Sequence, residues 1–395
     1  MAFVVGAKRT AFGTFGGALK SFTATQLATT ASKGALAAGG VDPGLVDSVV
    51  FGNVAQTSTD AAYLARHASL GAGVGIESPA LTLNRLCGSG FQAVVTAAQE
   101  IKLGEASVAL VGGTESMSQA PLALWGQNVR FSGKLLGKDL QLQDTLWSAL
   151  TDAYVGLPMA ITAENLAEKY GISREDCDAF ALRSQQKWGE ANSAGAFAAE
   201  IEPMELKARK GTTVFDTDEH PRPETAPEVG GIPLPTVFKK DGTVTAGNAS
   251  GICDGAAALV VAGEAALSKH DLAPLARIVS WGVAGVDPSI MGIGPCPAMN
   301  IALDRAGMSL ADMEILEINE AFAAQFLACQ KELGFDMDIA NQCGGAIALG
   351  HPLGASGARI TAHLAHRLQA TGKKYAIGGA CIGGGQGIAI ILERC

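Results

Sequence analysis

The chain is predicted to adopt an α/β fold built from two similar halves, with a long irregular segment inserted between them. Three observations carry this. Short apolar runs ending in glycine alternate with helical stretches, the pattern of buried strands in an α/β protein. A glycine turn, a helix and a strand recur: Gly88-Ser89-Gly90 leads to Gly112-Gly113, and Ala355-Ser356-Gly357 leads to Gly378-Gly379 at nearly the same distance. Between these units, residues 121–246 are irregular and proline-rich, and 207–244 are also strongly charged, too long for a plain connection. The expected division is 1–120 plus 247–271 as the first half, 121–246 as a loop domain and 272–395 as the second half.

Taken in order, Phe3-Val4-Val5 reads as a first strand and Val46–Gly52 as a second. In residues 91–103, Phe91, Val94, Val95, Ala98 and Ile101 share one helical face, and Ala106–Gly113 is the strand that follows. Leu316–Ile318, the helical stretch after Ala355, Tyr375–Gly379 and Ile388–Leu392 complete the second half. The repeat predicts that helices starting near Ser89 and Ser356 lie side by side at the centre.

Composition narrows the class. The 395 residues are 48% hydrophobic and 17% charged, and the mean hydropathy is +0.23. Such a chain buries a large core and is not disordered. No apolar run approaches the ~18 residues of a membrane span. A net charge of −9 without a dense basic block argues against nucleic acid as a partner. The eight cysteines contain no C-x-x-C pair, so a zinc ribbon has no ligand spacing to rest on, and reduced thiols are expected rather than a disulfide framework. No acidic residue precedes Asp42, whereas Lys8, Arg9, Lys20 and Lys33 do. Two readings are open: a mitochondrial import signal, or a first strand and helix that lack acids.

Four motifs carry chemistry. Cys87, in Asn84–Gly90 (NRLCGSG), precedes a helix whose unpaired N–H groups and dipole favour a thiolate; a buried, inert Cys is the rival reading. Cys381 ends a strand and enters Ile382–Gly387 (IGGGQG), where Ile388 breaks the G-x-G-x-x-G fingerprint of a dinucleotide loop. His351, between Gly350 and Pro352, is placed to act as a general base near neutral pH. Asn319, in Ile318–Phe322 (INEAF), can orient a water or simply cap the following helix. His363 and His366 read as ordinary helix residues, not metal ligands.

In this order and at these separations, C-G-S-G, N-E-A-F, G-H-P and C-x-G resemble the thiolase family. VGAKRTAF at Val5–Phe12, GGTESM at Gly112–Met117, TAEN at Thr162–Asn165, TVTAGNASG at Thr243–Gly251 and Asp254–Ala258 extend the resemblance almost end to end. Within the family the chain looks most like the mitochondrial 3-ketoacyl-CoA thiolases of β-oxidation. Met159 stands where acetoacetyl-CoA-specific enzymes have His-Met-Gly.

The resemblance implies a five-layer α/β/α/β/α fold, a homotetramer made as a dimer of dimers, a mitochondrial matrix location, and thiolysis of 3-ketoacyl-CoA. CoA would be a co-substrate, with no tightly bound cofactor and no metal. It implies Cys87 as nucleophile, His351 as base, Cys381 as the second acid/base, and oxyanion sites from His351 with an Asn319-held water and from the N–H groups of Cys87 and Gly383. Ser250 would touch pantetheine, Arg222 would lie near adenine, and Met159, Met291 and Phe322 would line the acyl or thioester pocket; core packing is the rival reading for Met291. An acetoacetyl-CoA thiolase and a decarboxylating 3-ketoacyl synthase are the alternatives. The chain departs from the family at Cys343 and in Ala226–Leu234. Cys343, eight residues before His351, is expected near the two working thiols.

Overall fold

The structure is a computed structural model and describes residues 1–131, 141–208, 211–224 and 234–395. The first repeat consists of β1 (Ala2–Thr10), α1 (Ala24–Ala38), β2 (Ser48–Gly52), α2 (Leu64–Gly71), β3 (Ala80–Leu83), α3 (Ser89–Leu103) and β4 (Val108–Ser116). The intervening stretch contributes α4 (Thr145–Ala149), α5 (Met159–Tyr170) and α6 (Arg174–Ser193). Then come β5 (Cys253–Gly263), β6 (Ala276–Gly285), α7 (Pro295–Ala306), β7 (Ile315–Ile318), α8 (Ala323–Leu333), α9 (Leu353–Thr371), β8 (Tyr375–Ile382) and β9 (Gln386–Arg394).

The strands lie in the order β7-β8-β9-β6-β1-β5-β4-β2-β3. β1 runs antiparallel to β5, β5 antiparallel to β4, and β4 parallel to β2. The other half repeats the pattern: β6 antiparallel to β9, β9 antiparallel to β8, β8 parallel to β7. A register shift falls between Val4 and Gly6 in β1 and at the matching place, between Ile278 and Ser280, in β6. A shared bulge at one position of a repeated strand is a signature of duplication. The halves join where Phe3 and Val4 pair with Arg277 and Ala276.

Strand alternation sends successive side chains to opposite faces. Leu259 and Val261 of β5 enter a central core with α3 and α9, while Val260 and Ala262 enter an outer core with α1 and α2. On the other half, Ile390 faces the centre and Ile391 packs under α7 and α8. The two halves of this one continuous sheet therefore sandwich α3 and α9 and are themselves covered outside by helices, giving five layers.

The central helices touch reciprocally. A side chain at Gly90 would strike the backbone of Ala358, and one at Gly357 would strike the backbone of Phe91. Glycine on both helices is what allows this approach, and it brings the two helix starts, with Cys87 and His351 just before them, to one place. The intervening stretch is tied to β1 by buried charge: Arg9 bonds Glu200 at 2.7 Å and Asp218 at 2.7 Å. No helix among the described residues is long and apolar enough to cross a membrane.

Candidate active site

The turn before α3 is held by side chains. Asn84 Oδ1 accepts from the Leu86 N–H at 2.8 Å. Ser89 Oγ accepts from the Arg85 N–H at 2.8 Å and donates to the Leu86 carbonyl at 2.7 Å. Leu86 takes φ +45°, a left-handed conformation unusual for its type, and so presents Cys87 at the helix start. The expected thiolate is not what results. Burial pushes the Cys87 thiol up to about 11, against the pull of hydrogen bonding from the Gly383 backbone, and the Glu115 carboxylate adds to the rise. Desolvation outweighs the helix terminus here.

His351 arrives from the other half. Its N–H donates to the Gly251 carbonyl at 2.9 Å. Nδ1 lies 2.6 Å from Ser356 Oγ, and that hydroxyl donates its own proton to the Pro352 carbonyl at 3.1 Å. Ser356 then accepts, so the proton sits on Nδ1 and Nε2 keeps its lone pair as an acceptor. Asn319 Nδ2 lies 3.3 Å from that Nε2. Burial, with the Arg359 charge adding to it, pushes His351 down to about 3, so the ring is neutral.

Asn319 is not a helix cap. Phe322 occupies the cap position of α8, and Asn319, fully buried at the end of β7, turns its amide to His351. Its N–H donates to the Gly379 carbonyl at 2.9 Å, and its Oδ1 has no hydrogen-bond partner among the described residues. Cys381, at the end of β8, is fully buried; burial and the neighbouring Cys87 raise its thiol well above the usual range. Met291 and Ala321 pack with Cys381, and Met159 and Phe322 close over them. A side chain at Gly383 would touch Leu86 and Met159, which places that loop between the two thiols' surroundings.

Cys87, His351, Cys381, Asn319, Gly383, Met159, Met291 and Phe322 thus come together. Ser250 reaches the edge of this group, its N–H donating to the Ala321 carbonyl at 3.0 Å. Arg222 does not join them. Its Nη1 donates to the carbonyls of Glu219, His220 and Pro221, and it lines a cavity of about 300 Å³ with Arg174, Leu234 and Gly247. The Ala226–Leu234 departure lies outside the described residues except for Leu234.

Several residues here escaped the sequence reading. In the sequence Ser356 stands out only as part of a glycine turn, and Glu115 only as a letter of GGTESM. Glu115 is fully buried and pushed up to about 7 by burial, against four hydrogen bonds that hold it down. Met117, Leu146 and Leu353 form an apolar lining with Cys87, Leu150 and Ile252, two of them from the irregular stretch, where no motif marks them.

Two expectations need correction. Cys343 is not beside the working thiols. It is buried with Trp188, Ala191 and Leu349 and touches His363. His363 is no ordinary helix residue: its Nδ1 pairs with Glu200 at 2.7 Å and its Nε2 lies 3.9 Å from Glu317; against its burial, the Glu200 charge and the Cys343 sulfur lift it to about 10. Among the described residues no group of three or more His, Cys, Asp or Glu is arranged to hold a metal ion.

Comparison with known proteins agrees with this geometry. Residues 2–265 match the thiolase N-terminal domain and residues 272–394 the thiolase C-terminal domain. The chain belongs to the thiolase family. This thiolase is 60% identical over 391 residues to the mitochondrial 3-ketoacyl-CoA thiolase of Homo sapiens, covering 99% of the chain and 98% of the relative. It is 48% identical to the beta-ketothiolase BktB of Cupriavidus necator, with the same coverage. The solved structure of human mitochondrial 3-ketoacyl-CoA thiolase in complex with CoA superposes with a TM-score of 0.96 at 59% identity, covering 100% of the chain and 98% of that structure. The acetyl-CoA acetyltransferase of Bacillus anthracis follows at 0.95 and 45%, with 100% and 98% covered. The five-layer fold expected of a thiolase is the fold found.

Proposed function

We propose that this thiolase cleaves 3-ketoacyl-CoA with CoA, giving acetyl-CoA and an acyl-CoA two carbons shorter, in mitochondrial fatty-acid β-oxidation. The observation that supports the reading is that the Cys381 thiol neighbours Cys87, while the neutral His351 imidazole, brought in just before the second central helix, meets Asn319 at 3.3 Å. Breaking a C–C bond beside a ketone needs a nucleophile that leaves a reactive acyl group, and a cysteine sulfur leaves a thioester.

Cys87 attacks the keto carbon as His351 Nε2 takes its proton. The C–C bond breaks, and Cys381 protonates the departing acetyl-CoA carbanion. The imidazolium then returns a proton to Cys381. In the second half, His351 takes the proton of the CoA thiol, whose sulfur attacks the acyl-Cys87 thioester, and hands it to the leaving Cys87 sulfur. Negative charge on oxygen is met by His351 and a water fixed by Asn319 at one site, which holds the thioester oxygen, and by the Cys87 and Gly383 N–H groups at the other. Each such donor typically contributes about 3–4 kcal/mol to barrier lowering. The unpartnered Asn319 Oδ1 supports a water at the first position.

Ser250 and Arg222 are assigned to the pantetheine and adenine ends of CoA, and Met159, Met291 and Phe322 to the thioester pocket. The family resemblance supports these roles, as does the place of Met291 and Phe322 beside Cys381. The same resemblance supports the division into 1–120 with 247–271, 121–246 and 272–395, the matrix location, and a tetramer of about 160 kDa, four chains of 40.2 kDa. Leu122, Trp125, Phe131 and Trp147 are exposed apolar side chains on the intervening stretch and are available for contacts between dimers. Light scattering that returns a single-chain mass would remove the tetramer.

A short-chain acetoacetyl-CoA thiolase is the second reading, favoured by the acetyltransferase relatives and opposed by Met159. A decarboxylating synthase needs no acid beside the nucleophile, and the position of Cys381 argues against it. Rates across a 3-ketoacyl-CoA length series, followed by loss of the Mg²⁺-enolate absorbance with CoA present, separate these. Cleavage of long and short chains is expected; activity on acetoacetyl-CoA alone would favour the second reading, and no cleavage at any length would end both.

A further inference from the structure

We propose that Glu115 is a positioning residue of this thiolase, its carboxylate holding the Cys87 turn and the His351 helix start in one frame. The inference rests on the roles given above to Cys87 and His351. Glu115 lies near the end of β4, facing the segment after β2 and the start of α9. Its Oε2 accepts from the Gly354 N–H at 2.9 Å and the Val54 N–H at 3.2 Å. Its Oε1 accepts from the Ala55 N–H at 2.9 Å and from Asn53 Nδ2 at 3.0 Å. Gly354 is in the first turn of α9, three residues after His351. Val54 continues the connection toward the nucleophile: its carbonyl accepts from Asn84 Nδ2 at 3.0 Å, and Asn84 Oδ1 fixes the Leu86 N–H, next to Cys87.

A chain of hydrogen bonds therefore runs from the start of the His351 helix to the turn that presents the nucleophile, and a single carboxylate is its centre. All four groups facing that carboxylate are N–H donors, and only an acceptor at both oxygens satisfies them. The fit is also close. A side chain at Gly354 would press on the Thr114 carbonyl and on Glu115 Oε2, and one at Gly113 would strike the Gly354 carbonyl. The two elements have no slack with which to find another spacing, and a misplacement of a fraction of an ångström between nucleophile and base slows the reaction without weakening the hold on CoA.

The test is Glu115→Gln, whose amide must turn its NH₂ toward two of the four donors, with Glu115→Asp as the variant that keeps two acceptor oxygens. For Glu115→Gln the expected result is kcat lowered about tenfold or more, with the KM for CoA within about twofold of the parent. Glu115→Asp is expected to recover part of that loss. A Gln variant with parental kcat, or a loss confined to KM, would overturn the proposal, as would an Asp variant no better than Gln. Should Glu115→Gln yield no folded protein, Asn84→Ala cuts the same chain at the Val54–Leu86 link. It is expected to lower kcat about fivefold at constant KM, and unchanged kcat would count against the proposal equally. Because each number is a ratio to the parent enzyme, a parent without thiolysis would refute the proposed activity instead, a separate outcome.

Discussion

His351 Nδ1 and Ser356 Oγ lie 2.6 Å apart, and the serine's one proton is already committed to the Pro352 carbonyl. That pairing decides which nitrogen of the ring is free to act as a base. Replacing Ser356 with Ala removes the acceptor and leaves the buried Nδ1–H unpaired. The expected outcome is kcat reduced about ten- to a hundredfold with CoA affinity preserved, read by steady-state thiolysis beside CoA titration. Unchanged kcat would show that the ring is oriented by something else.

Cys381 is assigned to proton transfer rather than to covalent chemistry. Serine at this position keeps the shape and loses the acid. Turnover should fall by about 10²–10⁴, the usual worth of a general acid, while Cys87 can still be acylated. Near-normal turnover of Cys381→Ser would mean that the proton comes from elsewhere.

The resting enzyme holds a neutral pair. Burial places the Cys87 thiol near 11 and His351 near 3, so neither titrates around neutrality. Alkylation of Cys87 by iodoacetamide should then rise steeply with pH, by up to about tenfold per unit from pH 7 toward 10, as thiolate becomes available. Fast, pH-independent labelling at pH 7 would reveal a thiolate–imidazolium pair instead.

His363 links the C-terminal half to Glu200 of the intervening stretch. Its proton is held to about 10 in the folded chain, against an ordinary value near 6.5. Folding therefore gains from this group fully below about 6.5, and the gain disappears as pH rises toward 10. Urea midpoints should show His363→Gln much weaker than the parent near pH 6 and nearly equal to it near pH 10. A constant difference between the two proteins would contradict the linkage.

Much of this architecture was legible in residues. The glycine turns at 88–90 and 355–357 point to the two central helices, because close helix approach needs glycine and Gly90 and Gly357 are the points of contact. The strand ends that carry Cys381 and Asn319 could be read from apolar runs breaking into polar or glycine text. Other features could not. The sign of the Cys87 shift depends on burial supplied by residues far away in the chain, and a local turn-then-helix pattern reports only the opposing dipole. Cys343 stands only eight residues before His351, yet a short helix at Ala346–Leu349 separates them, and Gly344 at φ +75° and the packing of Trp188 turn Cys343 into a different core. Glu115 and Ser356 act through partners of the other half or the next helical turn, and no spacing rule in a single sequence points to such contacts.

The central claim is that the acyl group passes through Cys87. Incubating the enzyme with 3-ketoacyl-CoA in the absence of CoA, followed by peptide mass spectrometry, tests it most directly. The account predicts release of acetyl-CoA, the mass of the shortened acyl group on the peptide that contains Cys87, and loss of that mass as acyl-CoA once CoA is added. The label should be absent from Cys87→Ala. Acyl mass on Cys381 or another residue, or acetyl-CoA released with no acylated peptide, would contradict it.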